Sequence, residues 1–350
     1  MIFRYIFTET LKPFIFITVV LIALLTTAEL SDTVQQVIAG LFEQQAIYKI
    51  IGFTIPVILP ELLPPAYLLA ILISQNRLSQ DSERTIFNAA GLSDQKLTSN
   101  LLITTALPLT FVMWLFTLFI TPSFALMFEQ YSVDQNNRPI TDLVDPGEFF
   151  NLPNNMGTLY AADSSPITGK LLDVYVIQHQ EKGTTVISAN SLKIDRENQS
   201  STQYLMFENG RLITQNLNSG SDQSFTSYSV ALPIDSYTYT NNKLNTMSTK
   251  TLTMNANQWQ QSEFLWRILY PLIIPVLCIW GVGLTKVKPR QARVGAIAIG
   301  IALYVVYSYI FKTLNASIAY SKLPLWAHGW WLHSLAVFLG WWLFMRQKHK

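Results

Sequence analysis

The chain has 350 residues, of which half are apolar, 24 are Lys or Arg and 22 are Asp or Glu. The charged fraction of 13% is about half of what soluble domains carry. The charges avoid six stretches, in which Glu61 is the one acid or base: residues 13–28, 50–74, 99–122, 268–285, 294–311 and 323–345. This division excludes a wholly soluble protein, and it equally excludes a helix bundle with nothing outside the membrane.

Each stretch predicts one membrane-spanning helix. Extended by its uncharged flanks, each reaches the roughly 20 apolar residues that cross a hydrocarbon core about 30 Å thick. We expect the first helix to be retained, because residues 26–30 offer no small-residue cleavage site of a signal peptide.

The second stretch contains Pro56, Pro60, Pro64 and Pro65 around Glu61. So many prolines predict a broken start rather than a regular helix, because proline removes a backbone donor and clashes with the preceding turn. Glu61 has two interpretations. It is either an interfacial acid near the outer surface, with the helix beginning at about Pro64, or a coupling-ion or substrate site, since a charge inside an apolar stretch is costly.

The segment between the second and third helices, residues 78–93, predicts a short amphipathic helix. Asp81 or Ser82 is suited to cap its amino end, Ile86 and Phe87 are expected to lie on one face, and Gly91 is suited to end it. Two interpretations stay open from spacing alone. The helix is either a solvated connector or the piece by which a membrane subunit docks into a groove of a separate ATPase.

The segment from Ser123 to Gln261 is polar and contains short runs of alternating apolar and polar residues. The runs at 171–177, 184–188, 204–207 and 224–230 predict strands. Asn209-Gly210 predicts a turn that joins residues 204–207 to Leu212 and Ile213 as a hairpin. Several short strands of this kind predict a sandwich or barrel.

The chain is therefore expected to divide into residues 1–122, with helices 1–3, residues 123–261, the β domain, and residues 262–350, with helices 4–6. Most Lys and Arg of the short loops lie before helix 1, between helices 2 and 3, between helices 4 and 5, and after helix 6. Because positive residues stay on the cytoplasmic side, we predict cytoplasmic termini and an extracytoplasmic β domain.

Little in the sequence indicates catalysis. There is no phosphate-binding loop, so no ATP site is expected, and the single Cys278 excludes an internal disulfide or a cysteine cluster. His328 and His333 are five residues apart and do not share a helix face as a metal pair would, so an interfacial aromatic belt is the stronger interpretation. We expect no catalytic residue, metal or cofactor, and the net charge of +2 gives no argument for nucleic acid.

Four segments together resemble the LptF/LptG permease family of the bacterial lipopolysaccharide exporter. They are Arg4-Tyr5 with Glu9-Thr10-Leu11-Lys12, the spacing of Pro56 and Pro64, the segment from Ser82-Glu83 to Ala90-Gly91-Leu92-Ser93, and Lys288-Pro289-Arg290-Gln291-Ala292-Arg293. The match follows the whole chain in order. The Pro-Arg-Gln-x-Arg element favours the LptF branch of the family.

The resemblance implies a non-catalytic inner-membrane subunit with six transmembrane helices, three on either side of a periplasmic, jellyroll-like all-β domain. It implies a heterodimer with an LptG-like permease, an LptB-like ATPase dimer and an LptC-like periplasmic jellyroll protein, with lipopolysaccharide as cargo. Helices 1 and 5 would each form one side of a lateral opening. The coupling helix would comprise Asp81, Ser82, Glu83, Arg84, Ile86, Phe87 and Gly91, with Glu83 facing the ATPase.

A lipid cargo requires apolar surface rather than catalytic groups, since each methylene kept from water contributes about 0.8 kcal/mol. Candidate lipid-lining residues, which are equally explained as ordinary sandwich core, are Leu172, Val174, Val176, Tyr204, Met206, Phe225 and Val230. Arg267 and Lys312 are weak candidates for lipid phosphate, because the end of helix 1 carries Glu29, Ser31 and Asp32 where family members often have basic residues.

Three alternative functions stay open. The chain could be the paralogous LptG permease of the same complex, or a stand-alone ion-coupled transporter that uses Glu61. A membrane-anchored sensor with a ligand-binding β domain is the third alternative. It is disfavoured because none of the predicted cytoplasmic loops is long enough to hold a signalling domain.

Overall fold

The computed structural model describes residues 2–38, 42, 45–136, 144–152, 157–165, 168–180, 183–196, 202–216, 219–233, 243–253, 257–285 and 294–346. By internal contacts the chain forms two compact units. Unit 1 contains Met1–Thr27, Gly52–Met127 and Asn241–Lys350, and unit 2 contains Ala28–Ile51 and Phe128–Thr240. The domain boundaries expected after residues 122 and 261 stay predictions.

Eleven helices are defined in the described part of the chain. They are α1 (Ile2–Ile38), α2 (Ala46–Gln80), α3 (Glu83–Ala89), α4 (Asp94–Leu101), α5 (Leu107–Leu115), α6 (Thr121–Asn136), α7 (Thr249–Thr253), α8 (Gln258–Leu269), α9 (Ile273–Leu284), α10 (Val294–Ala319) and α11 (Trp330–Arg346). Two π-helical segments, Leu102–Ala106 and Phe116–Ile120, join α4, α5 and α6 into the third span, and a 3₁₀ turn, Tyr270–Leu272, joins α8 to α9.

Five of the resulting spans are long and apolar enough to cross a membrane. They are Ile2–Ile38, Ala46–Gln80, Asp94–Gln135, Gln258–Leu284 and Gly295–Ala319. The sixth predicted span corresponds to α11, which has 17 residues and is about 26 Å long. The predicted architecture of apolar helices with a β domain inserted between the third and the fourth is confirmed.

The prediction that the prolines break helix 2 is wrong. All four lie inside α2, which continues from Ala46 to Gln80. The ring of Pro60 removes the amide that would bond to the carbonyl of Pro56, and the hydroxyl of Thr121 in the third span donates to that carbonyl at 3.3 Å. Backbone groups freed by proline are tolerated in membrane helices when a neighbouring helix supplies such a partner.

The core of unit 1 lies between α2 and α9. Tyr67, Leu68, Ile71 and Leu72 of α2 are fully or almost fully buried, as is most of Ile273–Leu284. Gly281 lets the two helices approach closely, since a Cβ built there would come within 2.4 Å of the Ile71 side chain. These two helices form the buried centre of unit 1.

The β domain is one antiparallel sheet whose six strands are neighbours in chain order. They are β1 (Phe149–Leu152), β2 (Gly157–Ser165), β3 (Lys170–Gln180), β4 (Gly183–Arg196), β5 (Thr202–Asn216) and β6 (Ser219–Pro233). The four predicted strand runs fall within β3, β4, β5 and β6. The predicted hairpin at Asn209-Gly210 is wrong, because both residues lie inside the continuous strand β5.

One row of the sheet is interrupted where that turn was predicted. Pairing skips Ala162, Asp173, Asn190, Asn209 and Thr226 and resumes on both sides in unchanged register. Asp173 and Asn209 have positive φ, 48° and 49°, which Asp and Asn tolerate better than most residues. Burial alternates along β3, β4 and β5 on both sides of this row, but at the row it shifts between odd-numbered and even-numbered residues, which we call the change of parity. On β3, for example, Leu171 is buried before the row and Val174 and Val176 after it.

Candidate functional site

The first candidate site is the junction of α2, α3 and α1. The chain turns between α2 and α3 at Ser82, which has a φ of 60° and makes no side-chain cap, so the predicted capping role of its hydroxyl is wrong. Gly91, with a φ of 84°, follows the end of α3. The turn places Glu83, the first residue of α3, beside the last turns of α2 and the first turns of α1.

Arg77 of α2 is the centre of this junction. Its Nη2 donates to the Tyr5 hydroxyl at 2.7 Å and lies 3.0 Å from Glu9 Oε2 and 3.6 Å from Glu83 Oε1. The Tyr5 hydroxyl in turn donates to Glu83 at 3.0 Å. We call the set of Tyr5, Glu9, Arg77 and Glu83 the Arg77 junction. In the sequence, Arg77 is one of the positive residues between helices 2 and 3. Nothing in its local pattern identifies Tyr5 and Glu9, about 70 residues away, as its partners.

The other predicted coupling residues face in different directions. Arg84 is buried, and its Nε donates to Asp94 at 3.0 Å, which fastens α3 to α4. Phe87 packs against the core of unit 1, whereas Ile86 is 64% exposed. Asp81 lies on the exposed side of Arg77, 3.9 Å from its Nη1. Ile86 is thus the apolar side chain that α3 leaves free for a partner.

The second candidate site is a cavity of about 380 Å³ in unit 1. It lies between α2, the third span, α8 and α10, and its lining includes Glu61, Thr117, Thr121, Arg267 and Lys312. Glu61 and Lys312 form an ion pair of 3.0 Å across its opening, and both side chains are about half exposed. Exposed pairs of this kind contribute little stability and exchange partners readily.

The two predicted phosphate-binding candidates differ in the accessibility of their cationic groups. Arg267 is 2% exposed, and its guanidinium donates to Glu263, to Thr249 and to the carbonyls of Leu244 and Met247, all within 3.2 Å. These bonds hold residues 244–249 against α8 and use most of its five donors. Lys312, by contrast, has an accessible ammonium group with one carboxylate partner in the described residues.

The seven candidate lipid-lining residues divide between the two faces of the sheet. Val174 and Val176 are fully buried in the sheet core, and Phe225 and Val230 pack against that core. Leu172, Tyr204 and Met206 are partly exposed and alternate with the buried residues Leu171, Leu205 and Phe207. For Leu172, which the expected alternation groups with Val174 and Val176, the reason is the change of parity at the interrupted row.

His328 and His333 are both buried within the protein. His328 Nε2 lies 3.1 Å from Asn315 Oδ1, His333 Nδ1 is hydrogen-bonded to the Tyr307 hydroxyl, and the Phe311 ring contacts both imidazoles. Trp326 and Trp330 nearby are exposed, as an aromatic belt requires. Within the described ranges, no group of three or more His, Cys, Asp or Glu side chains could hold a metal ion.

Of the five long apolar spans in the described residues, the two expected at a lateral opening are the least covered. Only 6% of the apolar window of α1 and 17% of that of α10 is buried, against 61% for α2 and 72% for the span of α8 and α9. A long row of apolar side chains on α1 and α10 therefore faces lipid or another protein. Among them are Phe16, Leu24, Val305 and Val306.

Comparison with known proteins agrees with this architecture. The family model described as "Lipopolysaccharide export system permease LptF/LptG" matches residues 4–346. The lipopolysaccharide export system permease protein LptF of Escherichia coli strain K12 is 22% identical over 355 residues, which cover 97% of this chain and 94% of that protein. The protein of the same name from Shigella flexneri gives the same identity and coverage.

Proposed function

Since the chain belongs to the lipopolysaccharide export system permease LptF/LptG family, we propose that it is the LptF-type permease subunit of an ATP-driven lipopolysaccharide exporter in the bacterial inner membrane. The observation that carries this proposal is the family match over residues 4–346, which includes the helices on both sides of the β domain. Relatives named LptF and the Pro-Arg-Gln-x-Arg element at 289–293, which lies outside the described residues, favour LptF over LptG.

In this proposal both termini are cytoplasmic and the sheet is periplasmic. Arg4, Arg77, Arg84 and Lys96 belong to segments on the proposed cytoplasmic side, and the positive residues at 286–293 belong there too. The chain itself is a non-catalytic subunit, and ATP hydrolysis is assigned to an LptB-like ATPase dimer on that side.

The ATPase would bind at α3. Exposed Ile86 offers an apolar anchor, and Glu83 and Asp81 place negative charge beside it. Buried apolar anchors ringed by charge are typical of protein interfaces. The fastening of α3 by Arg84 and Phe87 supports a rigid docking piece rather than a loose connector.

The cargo would enter beside α1 and α10, whose bare apolar faces suit both an LptG-like permease and lipid acyl chains. Lys312 is the stronger phosphate candidate, because its partner Glu61 is itself a half-exposed surface carboxylate that an anionic headgroup can displace. Arg267 has a structural role instead, because its hydrogen bonds hold residues 244–249 against α8. The apolar inner face of the sheet, with Val174, Val176 and Phe225, would carry the lipid toward an LptC-like jellyroll protein.

The docking role of α3 is tested by Ile86→Asp, with Asn88→Asp as the matched control. Both residues are exposed on α3, and both substitutions add one negative charge. We expect Ile86→Asp to reduce co-purification of the ATPase about tenfold or more, as loss of an interface anchor does. Asn88→Asp should leave it unchanged. Equal binding by both variants would contradict the docking proposal.

The cargo is tested in proteoliposomes that contain the complete complex and an acceptor for lipopolysaccharide. A photo-crosslinking residue at Phe225, on the inner face, should capture lipopolysaccharide in an ATP-dependent manner, and one at Tyr175, which is exposed, should not. Transport by this chain alone, lost in Glu61→Gln, would instead establish the ion-coupled transporter.

A further inference from the structure

The amino-terminal part of α1 is held to the rest of unit 1 at few points. Ile6 and Thr10 are buried, Thr10 Oγ1 lies 3.3 Å from Ser74 Oγ of α2, and the Phe14 ring packs edge-on against Tyr67. From residue 15 to residue 27 no side chain of α1 is buried. The helix is therefore fixed near its start and uncovered along its membrane-spanning length.

The Arg77 junction lies at that fixed start. Tyr5 and Glu9 are four residues apart, so they lie on one face of α1 one turn apart. The same nitrogen of Arg77 contacts both of them, at 2.7 and 3.0 Å. This arrangement fixes the rotation of α1 about its own axis as well as its position, which a single contact would not do.

The junction also ties α1 directly to α3. Tyr5 donates to Glu83 at 3.0 Å, and Arg77 stands 3.6 Å from the same carboxylate oxygen. α3 has no side-chain cap and is only seven residues long. Its contacts to its surroundings include the Arg84–Asp94 pair, the packing of Phe87 and this junction, and the last of these leads to α1.

We propose that Arg77 and Tyr5 are positioning residues that couple the displacement of α3 to that of α1, so that α3 and the start of α1 move as one body. This proposal rests on the function proposed above, in which α3 receives the motion of the ATPase. A push at α3 then turns or tilts α1, whose uncovered length is free to follow. The junction would thus connect ATP hydrolysis to the opening of the lateral face.

Charge explains why Arg77 is required. Glu9, Glu83 and Asp81 surround this guanidinium, and among the described residues Lys12 pairs with Glu9, at 3.5 Å. Without Arg77 the carboxylates of α1 and α3 repel each other. A lysine keeps the charge but presents a single ammonium group in place of the planar fork that arginine offers to several acceptors.

The test measures lipopolysaccharide delivered per ATP hydrolysed in proteoliposomes of the complete complex. Tyr5→Phe removes one hydroxyl and leaves every charge in place, and Arg77→Gln removes the cation. We expect both to retain ATPase binding and hydrolysis while the delivery ratio falls at least about fivefold, the lower end of coupling between sites. Arg77→Lys should recover part of it. The control Tyr320→Phe, at an exposed hydroxyl, should match the unaltered protein.

An unchanged delivery ratio in Tyr5→Phe and Arg77→Gln would overturn the proposal and leave the proposed function standing. Parallel loss of assembly, hydrolysis and delivery in Tyr5→Phe would overturn it too, since this indicates a purely structural role. Failure of the unaltered complex to bind the ATPase or deliver lipid would instead refute the proposed function.

Spin labels at Thr8 and Asn88 provide a readout that is independent of transport. Both positions are exposed, and the single native cysteine, Cys278, is buried and leaves little background labelling. The distance between the labels should be the same without nucleotide and in the vanadate-trapped state. In Tyr5→Phe it should change or broaden between the two states. A distance that changes equally in both proteins would contradict a rigid link.

Discussion

Gly210 occupies a point of the sheet that has no room for a side chain. A Cβ built there would lie 2.2 Å from the Ser188 carbonyl oxygen and 2.6 Å from the Phe225 ring, so the glycine lets that ring cover the strand. We expect Gly210→Ala to destabilise the sheet by about 1–3 kcal/mol, as overpacking does. Gly220→Ala is the control, because its Cβ would meet nothing closer than 3.8 Å. Equal melting temperatures of the two variants would contradict this account.

Glu208 on β5 makes the stability of the sheet depend on pH. It accepts hydrogen bonds from Lys170 at 2.6 Å and from Ser191 at 2.8 Å, and these bonds, that of Lys170 first, lower the pKa of its carboxyl group. Because the folded-state pKa is the lower one, the contribution is full above the ordinary glutamate pKa and is lost as the pH falls through the lowered value.

Glu208→Gln is therefore expected to lower the melting temperature slightly at neutral pH, and the difference should vanish as the pH falls through the lowered pKa of Glu208. Thermal unfolding followed by circular dichroism at several pH values measures this. Glu148→Gln, at an exposed glutamate in the same unit, serves as the control. A difference that persists unchanged at low pH would show that the carboxylate charge is not responsible.

At the scale of the elements, three prolines in the membrane spans are matched by hydroxyl groups on neighbouring helices. Pro60, Pro122 and Pro271 each deprive a carbonyl four residues earlier of its amide donor. Thr121 donates to the carbonyl of Pro56, Thr249 to that of Leu118, and Thr117 to that of Arg267. These bonds tie α2, the third span, α7 and α8 together around the cavity that holds Glu61 and Lys312.

Thr117→Val tests such a tie with little change of shape. It removes the donor 2.9 Å from the Arg267 carbonyl, and we expect a loss of about 1 kcal/mol, typical of a hydrogen bond between membrane helices. Thr26→Val is the matched control, because the partners of that hydroxyl in the described part of the chain are carbonyls of its own helix. Melting temperatures in detergent compare the two, and an equal effect would show that helix propensity alone is at work.

These hydrogen bonds between elements show why some features of the fold were predicted from the sequence and others were not. The apolar stretches place the six helices, since hydrophobic length is a property of the local sequence. In α2, one carbonyl freed by proline is satisfied by Thr121 of another span, a partner that local rules for proline do not include. Asn209-Gly210 likewise has the composition of a turn, but the strands on both sides pair through it. Local residues limit which conformations are allowed, and contacts with neighbouring helices and strands determine which of them is adopted.

The same limit applied to the candidate sites. The α3 segment was predicted from its capping residues and its resemblance to a family, and both are local properties. The partners of Arg77 lie on α1, and the partners of Arg267 lie in residues 244–249, so neither set was visible before folding. Burial then separated Lys312 from Arg267, which the sequence alone could not distinguish as cations.

At the scale of the whole molecule, the membrane spans differ in how much of their apolar surface is covered. α2 and the span of α8 and α9 form the interior, whereas α1 and α10 are almost bare. The third span is also only 28% buried, so bareness alone does not identify the interface. The function proposed above places a second permease at α1 and α10, and cross-linking separates the three spans.

Single cysteines at Leu24 of α1 and Val305 of α10 should form disulfides with cysteines scanned along the partner permease, whereas Phe111→Cys on α5 should not. The native side chains are 63%, 54% and 68% exposed, so accessibility is matched. A disulfide requires Cα atoms within about 7 Å, and lipid-facing positions meet no such partner. Cross-linking from position 111 in preference to positions 24 and 305 would move the interface to the third span and leave α1 and α10 facing lipid.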